Sequence, residues 1–178
     1  MNCAALRGDI LPLLAQLQPP PGRMQTIGGG LQPLIVIDYA HTPEALSQAL
    51  QTLAIAAAAR SGRLLCVFGC GGDRDAGKRP LMGGIASDNA DIVILTSDNP
   101  RSEAPQDIIA AIRGGMKKAP LIEADRAAAI NQALAMAADV DVVLIAGKGH
   151  ESGQECNGVK TPFSDLDVAR AALAKRSC

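Results

Sequence analysis

The chain predicts a three-layer α/β domain with a mainly parallel sheet, helices on both faces and a C-terminal hairpin. Three observations carry this. Short apolar runs alternate along the 178 residues with longer segments of helical spacing. The runs, such as Leu34-Ile35-Val36-Ile37 and Val142-Val143-Leu144-Ile145-Ala146, are continuous rather than alternating, as in strands covered on both faces. Polar clusters follow the runs directly, and open parallel sheets gather ligand contacts at the carboxyl ends of their strands.

Each element has its own signal. Leu6, Ile10, Leu13, Leu14 and Leu17 predict an amphipathic helix over residues 3–17. "QPPPGRMQTIGGG" then supplies a stiff proline run, one short strand and a triple glycine, which reads as a boundary. Strands are predicted at 34–39, 64–69, 91–97, 121–123 and 141–147, and helices at 43–60, 80–88, 104–116 and 126–138. Thr42 is placed to cap the first of these helices, with Pro43 at its first position. Asn157-Gly158 marks a hairpin, because a type I′ turn needs positive φ at both central residues. A last helix is predicted over 164–175, with Ser164 as its cap and an Asp beside its positive end.

Composition narrows the function classes. The formal net charge is -1, with 17 basic residues spread among 18 acidic ones, so no basic stripe suggests a nucleic acid or an anionic membrane. Aromatics make up 2%, which removes the stacking platform of single-strand binders. No apolar run approaches the roughly 20 residues of a membrane span, so no membrane insertion is expected. The cysteines Cys3, Cys66, Cys70, Cys156 and Cys178 form no CxxC pair, fitting a reduced, cytoplasmic chain better than a disulfide scaffold. No metal site is expected in this chain.

Four clusters carry candidate chemistry: "DYAHTPEA", "GCGGDRDAGKRP", "SDNPRSE" and "GKGHESG". Each has a plain structural reading. Asp38 and His41 would close a turn, and Gly69, Gly71 and Gly72 would permit one. Arg74 between Asp73 and Asp75 would be a solvated charge cluster, and Asp98 would cap a turn. Lys148, His150 and Glu151 would lie exposed around Gly147 and Gly149. Arg101 resists that treatment, because a guanidinium fork in a strand-to-helix loop suits a carboxylate ligand. A dinucleotide site fails on detail: G-x-G-x-x-G is not met, since Gly69-Cys70-Gly71 runs into Gly72-Asp73-Arg74.

"GRM" at 22–24, "DYAHTPEAL", "VFGCGGDRDAGKRPLMG", "SDNPRSE" and "AGKGHE", in this order, resemble the C-terminal domain of the Mur ligases, most of all the meso-diaminopimelate-adding members. The resemblance covers nearly the whole chain. It implies a Rossmann-like fold, with residues 1–20 as the terminal helix of a central ATPase domain and 21–178 as the amino-acid-binding domain. The central domain's P-loop, G-x-x-x-x-G-K-[ST], does not occur in these residues, and its carbamylated lysine has no counterpart. The chain alone is therefore expected to be inactive.

What the resemblance implies about the site follows the motifs. ATP would phosphorylate the D-Glu carboxylate of UDP-MurNAc-L-Ala-D-Glu, and an amine of meso-diaminopimelate would attack the acyl phosphate. Arg74 and Arg101 would hold the carboxylate at the far end of diaminopimelate, and Gly147 and Glu151 its ammonium. Asp98 and Asn99 would shape the loop, and Pro100 would fix its path. Arg23, Asp38 and His41 would reach ATP, which the central domain would hold together with Mg2+. Two other readings stay open: a stand-alone amino-acid-binding module, and the C-terminal domain of another ligase of the superfamily, lysine-adding or folylpolyglutamate synthase-like.

Overall fold

The computed structural model describes residues 20–176, so the helix expected over 3–17, together with Cys3 and Cys178, lies outside the described residues. Eight strands and five helices are described: β1 (Gln25–Gly28), β2 (Leu34–Asp38), α1 (Pro43–Ala59), β3 (Leu64–Phe68), α2 (Lys78–Asn89), β4 (Ile92–Leu95) and α3 (Pro105–Arg113), then β5 (Leu121–Ile122), α4 (Arg126–Met136), β6 (Val142–Ala146), β7 (Gly153–Cys156), β8 (Val159–Pro162) and α5 (Asp165–Arg176).

The main sheet has six strands in the order β1-β2-β6-β3-β4-β5. β1 is antiparallel to β2, and every other pairing is parallel. β6, the last strand to enter, sits centrally between β2 and β3, with Asp38 and Phe68 both in register with Ala146. The loops after β2, β3, β4 and β6 therefore leave from one edge, side by side.

Strand alternation divides the core in two. Val36, Cys66, Phe68, Val93, Leu95 and Leu144 face α1, α2 and α3, packing on Leu46, Leu50, Leu53, Met82 and Ile112. Ile35, Ile37, Leu65, Val67, Ile94 and Ile145 face α4 and α5, packing on Ile130, Leu134, Ala169 and Leu173. Both faces are covered, so the strands carry no polar stripe. Burial pushes the Cys66 thiol up to about 12 and the Cys70 thiol up to about 11, and both are unpaired.

The predicted ends move by a few residues. α2 begins at Lys78 rather than 80, and α3 ends at Arg113 because Gly114 and Gly115 follow. Thr42 accepts the Ala45 N–H at 3.2 Å, and Ser164 accepts the Asp167 N–H at 3.2 Å, so both expected caps form. Asn157 and Gly158 have φ of 49° and 75°, and turn β7 into β8. No helix among the described residues is long and apolar enough to cross a membrane.

Candidate functional site

The four loops at the carboxyl edge enclose an open cavity of about 560 Å3. His41, Arg74, Asp98, Asn99, Arg101, Gly147 and Glu151 line it, joined by Tyr39, Lys78 and Asp75. Residues from 41 to 151 thus converge. Three other candidates stand apart from that lining. Pro100 is buried and turned toward the opposite side of its loop, where it lines a second, smaller hollow with Gln154 and Val159. Asp38 uses its carboxylate on backbone, taking the Met24 N–H on Oδ2 and the Ala40 N–H on Oδ1, each at 2.8 Å. Arg23 lies beside the rim, its guanidinium carbon 5.6 Å from the centre of the Tyr39 ring.

Tyr39 ties that rim together. Its ring centre is 4.5 Å from that of His41 and 5.5 Å from that of His150, and His41 Nδ1 contacts the Tyr39 carbonyl at 2.8 Å. Lys78 Nζ donates to the His41 carbonyl at 2.8 Å. One wall of the cavity is therefore cationic and aromatic.

The loop after β4 is held from two sides. Gly72 approaches the Pro100 carbonyl so closely that a Cβ there would sit 1.9 Å from it. Arg101 donates from Nη1 to the Gly72 carbonyl at 2.6 Å, and its own N–H goes to the Glu155 carbonyl of β7 at 3.1 Å. Asn157 N–H returns to the Arg101 carbonyl at 2.6 Å. These bonds hold Arg101 at a φ of 51°, a left-handed conformation that costs a non-glycine residue on the order of 1 kcal/mol. The hairpin is thus a brace for the Arg101 loop.

Behind Arg74, a second brace explains the neighbouring acids. Arg79, almost wholly buried, makes two 2.8 Å bonds to Glu103, and Glu103 Oε1 also takes the Asp73 N–H at 2.6 Å. Asp73 in turn accepts from Ser102 Oγ at 2.6 Å. The expected solvated cluster around Arg74 is therefore corrected in part: Arg74 and Asp75 are exposed, but Asp73 ties the loop after β3 to the loop after β4.

Lys148 is the residue that sequence reasoning missed. Read as exposed, it is fully buried beneath the cavity, and its Nζ reaches Asn99 Oδ1 at 3.0 Å, Glu151 Oε2 at 3.1 Å and Asp98 Oδ1 at 3.3 Å. Gly147 takes a φ of 113°, a conformation open to glycine that turns the chain so the lysine points inward. Asn99 Oδ1 accepts from two obligate donors, Lys148 Nζ and the Glu155 N–H, so its amide nitrogen faces Glu151, at 2.8 Å. Burial drives the Glu151 carboxyl upward, but hydrogen bonds from Asn99 and Lys148 and the lysine's charge outweigh it, leaving it below the usual range. A lysine between two glycines after an apolar strand was the available signal.

Comparison with known proteins bears on this geometry. Residues 22–149 match the family model described as "Mur ligase, glutamate ligase domain". The chain belongs to the Mur ligase family. Among similar proteins, UDP-N-acetylmuramoyl-L-alanyl-D-glutamate--2,6-diaminopimelate ligase of Chromobacterium violaceum is 59% identical over 93% of this chain and 34% of its own length. The enzyme of the same name from Pseudomonas aeruginosa is 58% identical over 94% of the chain and 34% of its own length. A solved structure of a ligase of that name superposes with a TM-score of 0.79 at 44% identity, covering 95% of this chain and 34% of that one. This Mur ligase chain therefore spans about a third of the length of the relatives it matches.

Among the described residues, no group of three or more His, Cys, Asp or Glu is placed to hold a metal ion.

Proposed function

We propose that this chain is the C-terminal domain of a Mur ligase that adds meso-diaminopimelate to UDP-MurNAc-L-Ala-D-Glu, and that its cavity binds the far end of the incoming diaminopimelate. One observation carries the reading. Opposite charges line a single cavity: Arg74 and Arg101 together with Glu151 and the Gly147 backbone. That pattern suits a zwitterionic amino-acid head, whose carboxylate takes a guanidinium fork and whose ammonium takes acceptors. Lysine offers the ammonium without the carboxylate, so it forgoes the guanidinium contacts that diaminopimelate would make.

The other amine of diaminopimelate would project from the cavity toward an acyl phosphate formed on D-Glu with ATP. What this domain contributes is position: it holds the nucleophile where closure of the neighbouring domains excludes water. Arg23 and Lys78 give the rim that would meet ATP phosphates its positive charge, with the His41 ring beside them, while Asp38 orders the backbone beneath. The acid-activating step and its metal belong to residues outside this chain.

The test uses full-length enzyme and truncated substrates. 2-Aminopimelate, which lacks the far ammonium, and lysine, which lacks the far carboxylate, should each lose roughly 10- to 150-fold in kcat/KM, one charge-assisted contact apiece. Turnover of lysine equal to that of diaminopimelate overturns the reading.

A further inference from the structure

Two acids and one buried cation lie under the cavity, and the count of charges is informative. Asp98, Glu151 and Lys148 sum to one net negative charge, and a single ammonium would neutralise it. Lys148 uses its three donors on three acceptors that come from two different loops: Asp98 and Asn99 after β4, Glu151 after β6. Glu151 Oε2 is taken by Asn99 and Lys148 together, and Glu151 lines the open cavity. The surroundings of Lys148 are polar, and its side chain is wholly shielded from water.

Resting on the substrate reading above, we propose that Lys148 is the positioning residue of the ammonium subsite: it locks Glu151 and Asn99 to each other and reduces two carboxylates to one net charge, so that one ammonium fits. It touches no substrate. It acts through Glu151, whose other charged neighbours are Asp98, Arg101 and Arg126, with Arg74, Asp75 and Lys78 and the titratable His41 also around the cavity.

The test is again made in the full-length ligase. Lys148→Met alone would strand a buried Asp98, so it is compared with Lys148→Met/Asp98→Asn, which removes the stranded charge and keeps the fold measurable by thermal melting. The double variant keeps one net negative charge, so it reads the lock alone: when folded, its KM for diaminopimelate should rise roughly 10- to 100-fold while KM for ATP stays within about 3-fold. The acid limb of kcat/KM for diaminopimelate should also move to higher pH, because Glu151 loses both the hydrogen bond and the adjacent charge of Lys148. A folded double variant with the wild-type KM and an unmoved limb overturns the role of Lys148. Wild-type enzyme showing no preference for diaminopimelate over lysine overturns the substrate reading first, and this inference with it.

Discussion

Arg126 and Asp165 form a bidentate ion pair with no solvent exposure on either side chain, 2.8 Å from Nε to Oδ1 and 2.9 Å from Nη2 to Oδ2. The pair joins the first residue of α4 to the first of α5. Arg126 also donates to the carbonyls of Ser97 at 3.3 Å and Ala146 at 2.9 Å, the last residues before the Asp98 and Gly147 loops. Asp165 lies in the first turn of its own helix, where an Asp was expected, and it also pairs with a residue 39 positions away. One buried guanidinium therefore fixes, from below, the spacing of two loops that line the cavity.

Breaking that pair should cost more than a surface pair would. Asp165→Asn leaves a buried cation half-compensated, and about 3–5 kcal/mol of stability should be lost, read as a lower urea midpoint. Arg126→Met/Asp165→Leu should regain much of this, since an apolar replacement of a buried pair is often neutral. The carbonyls of Ser97 and Ala146 would stay unpaired, so KM for diaminopimelate should remain raised in the double variant. Equal urea midpoints for Asp165→Asn and wild type would show that the pair does not hold the two helices together.

Acid should loosen the loop after β3 before it unfolds the core. Hydrogen bonds from Arg79, then from the Asp73 N–H, lower the Glu103 carboxyl from 4.5 to about 2. A depressed folded value means that this stabilisation is fully present above about pH 4.5 and is lost as pH falls toward 2. Asp73 and Asp141 are lowered as well and act in the same direction. Glu103→Gln should therefore flatten the fall in thermal stability between about pH 4.5 and 2, at the expense of stability near neutrality. A melting temperature that falls as steeply with acid in the variant as in wild type would contradict this.

Most of the fold was legible because burial on both faces writes continuous apolar runs, and because Thr42, Ser164 and Asn157-Gly158 mark their own turns locally. The site loops were legible for the same reason: they had to follow the strands. Lys148, Arg79 and Arg126 were not. Each is buried against partners from distant segments, Lys148 against Asp98 50 positions away and Arg79 against Glu103 24 away, and spacing along a chain does not announce such pairs. Asp38 carried the opposite ambiguity. A carboxylate in a strand-to-helix turn can serve ligand or backbone, and only its 2.8 Å bonds to Met24 and Ala40 show the backbone taking it.

Arg101 carries the sharpest test of the substrate reading. Its Nη1 donates to the Gly72 carbonyl and its Nε lies 3.8 Å from Glu155, while the residue lines the cavity. In full-length enzyme Arg101→Ala should lose a charge-assisted contact of about 1.5–3 kcal/mol, or roughly 10- to 150-fold in kcat/KM for diaminopimelate. Arg101→Lys should recover only part, because a point donor on a flexible stem cannot brace on Gly72 and grip a carboxylate at once. Lysine as substrate has no far carboxylate to lose, so its poor turnover should change much less and the preference between the two substrates should collapse. Should Arg101→Ala raise KM for ATP and leave that preference intact, the loop serves the nucleotide instead. The braces from Gly72 and β7 then hold a phosphate contact, and the cavity's zwitterion pattern must be read from Arg74 alone.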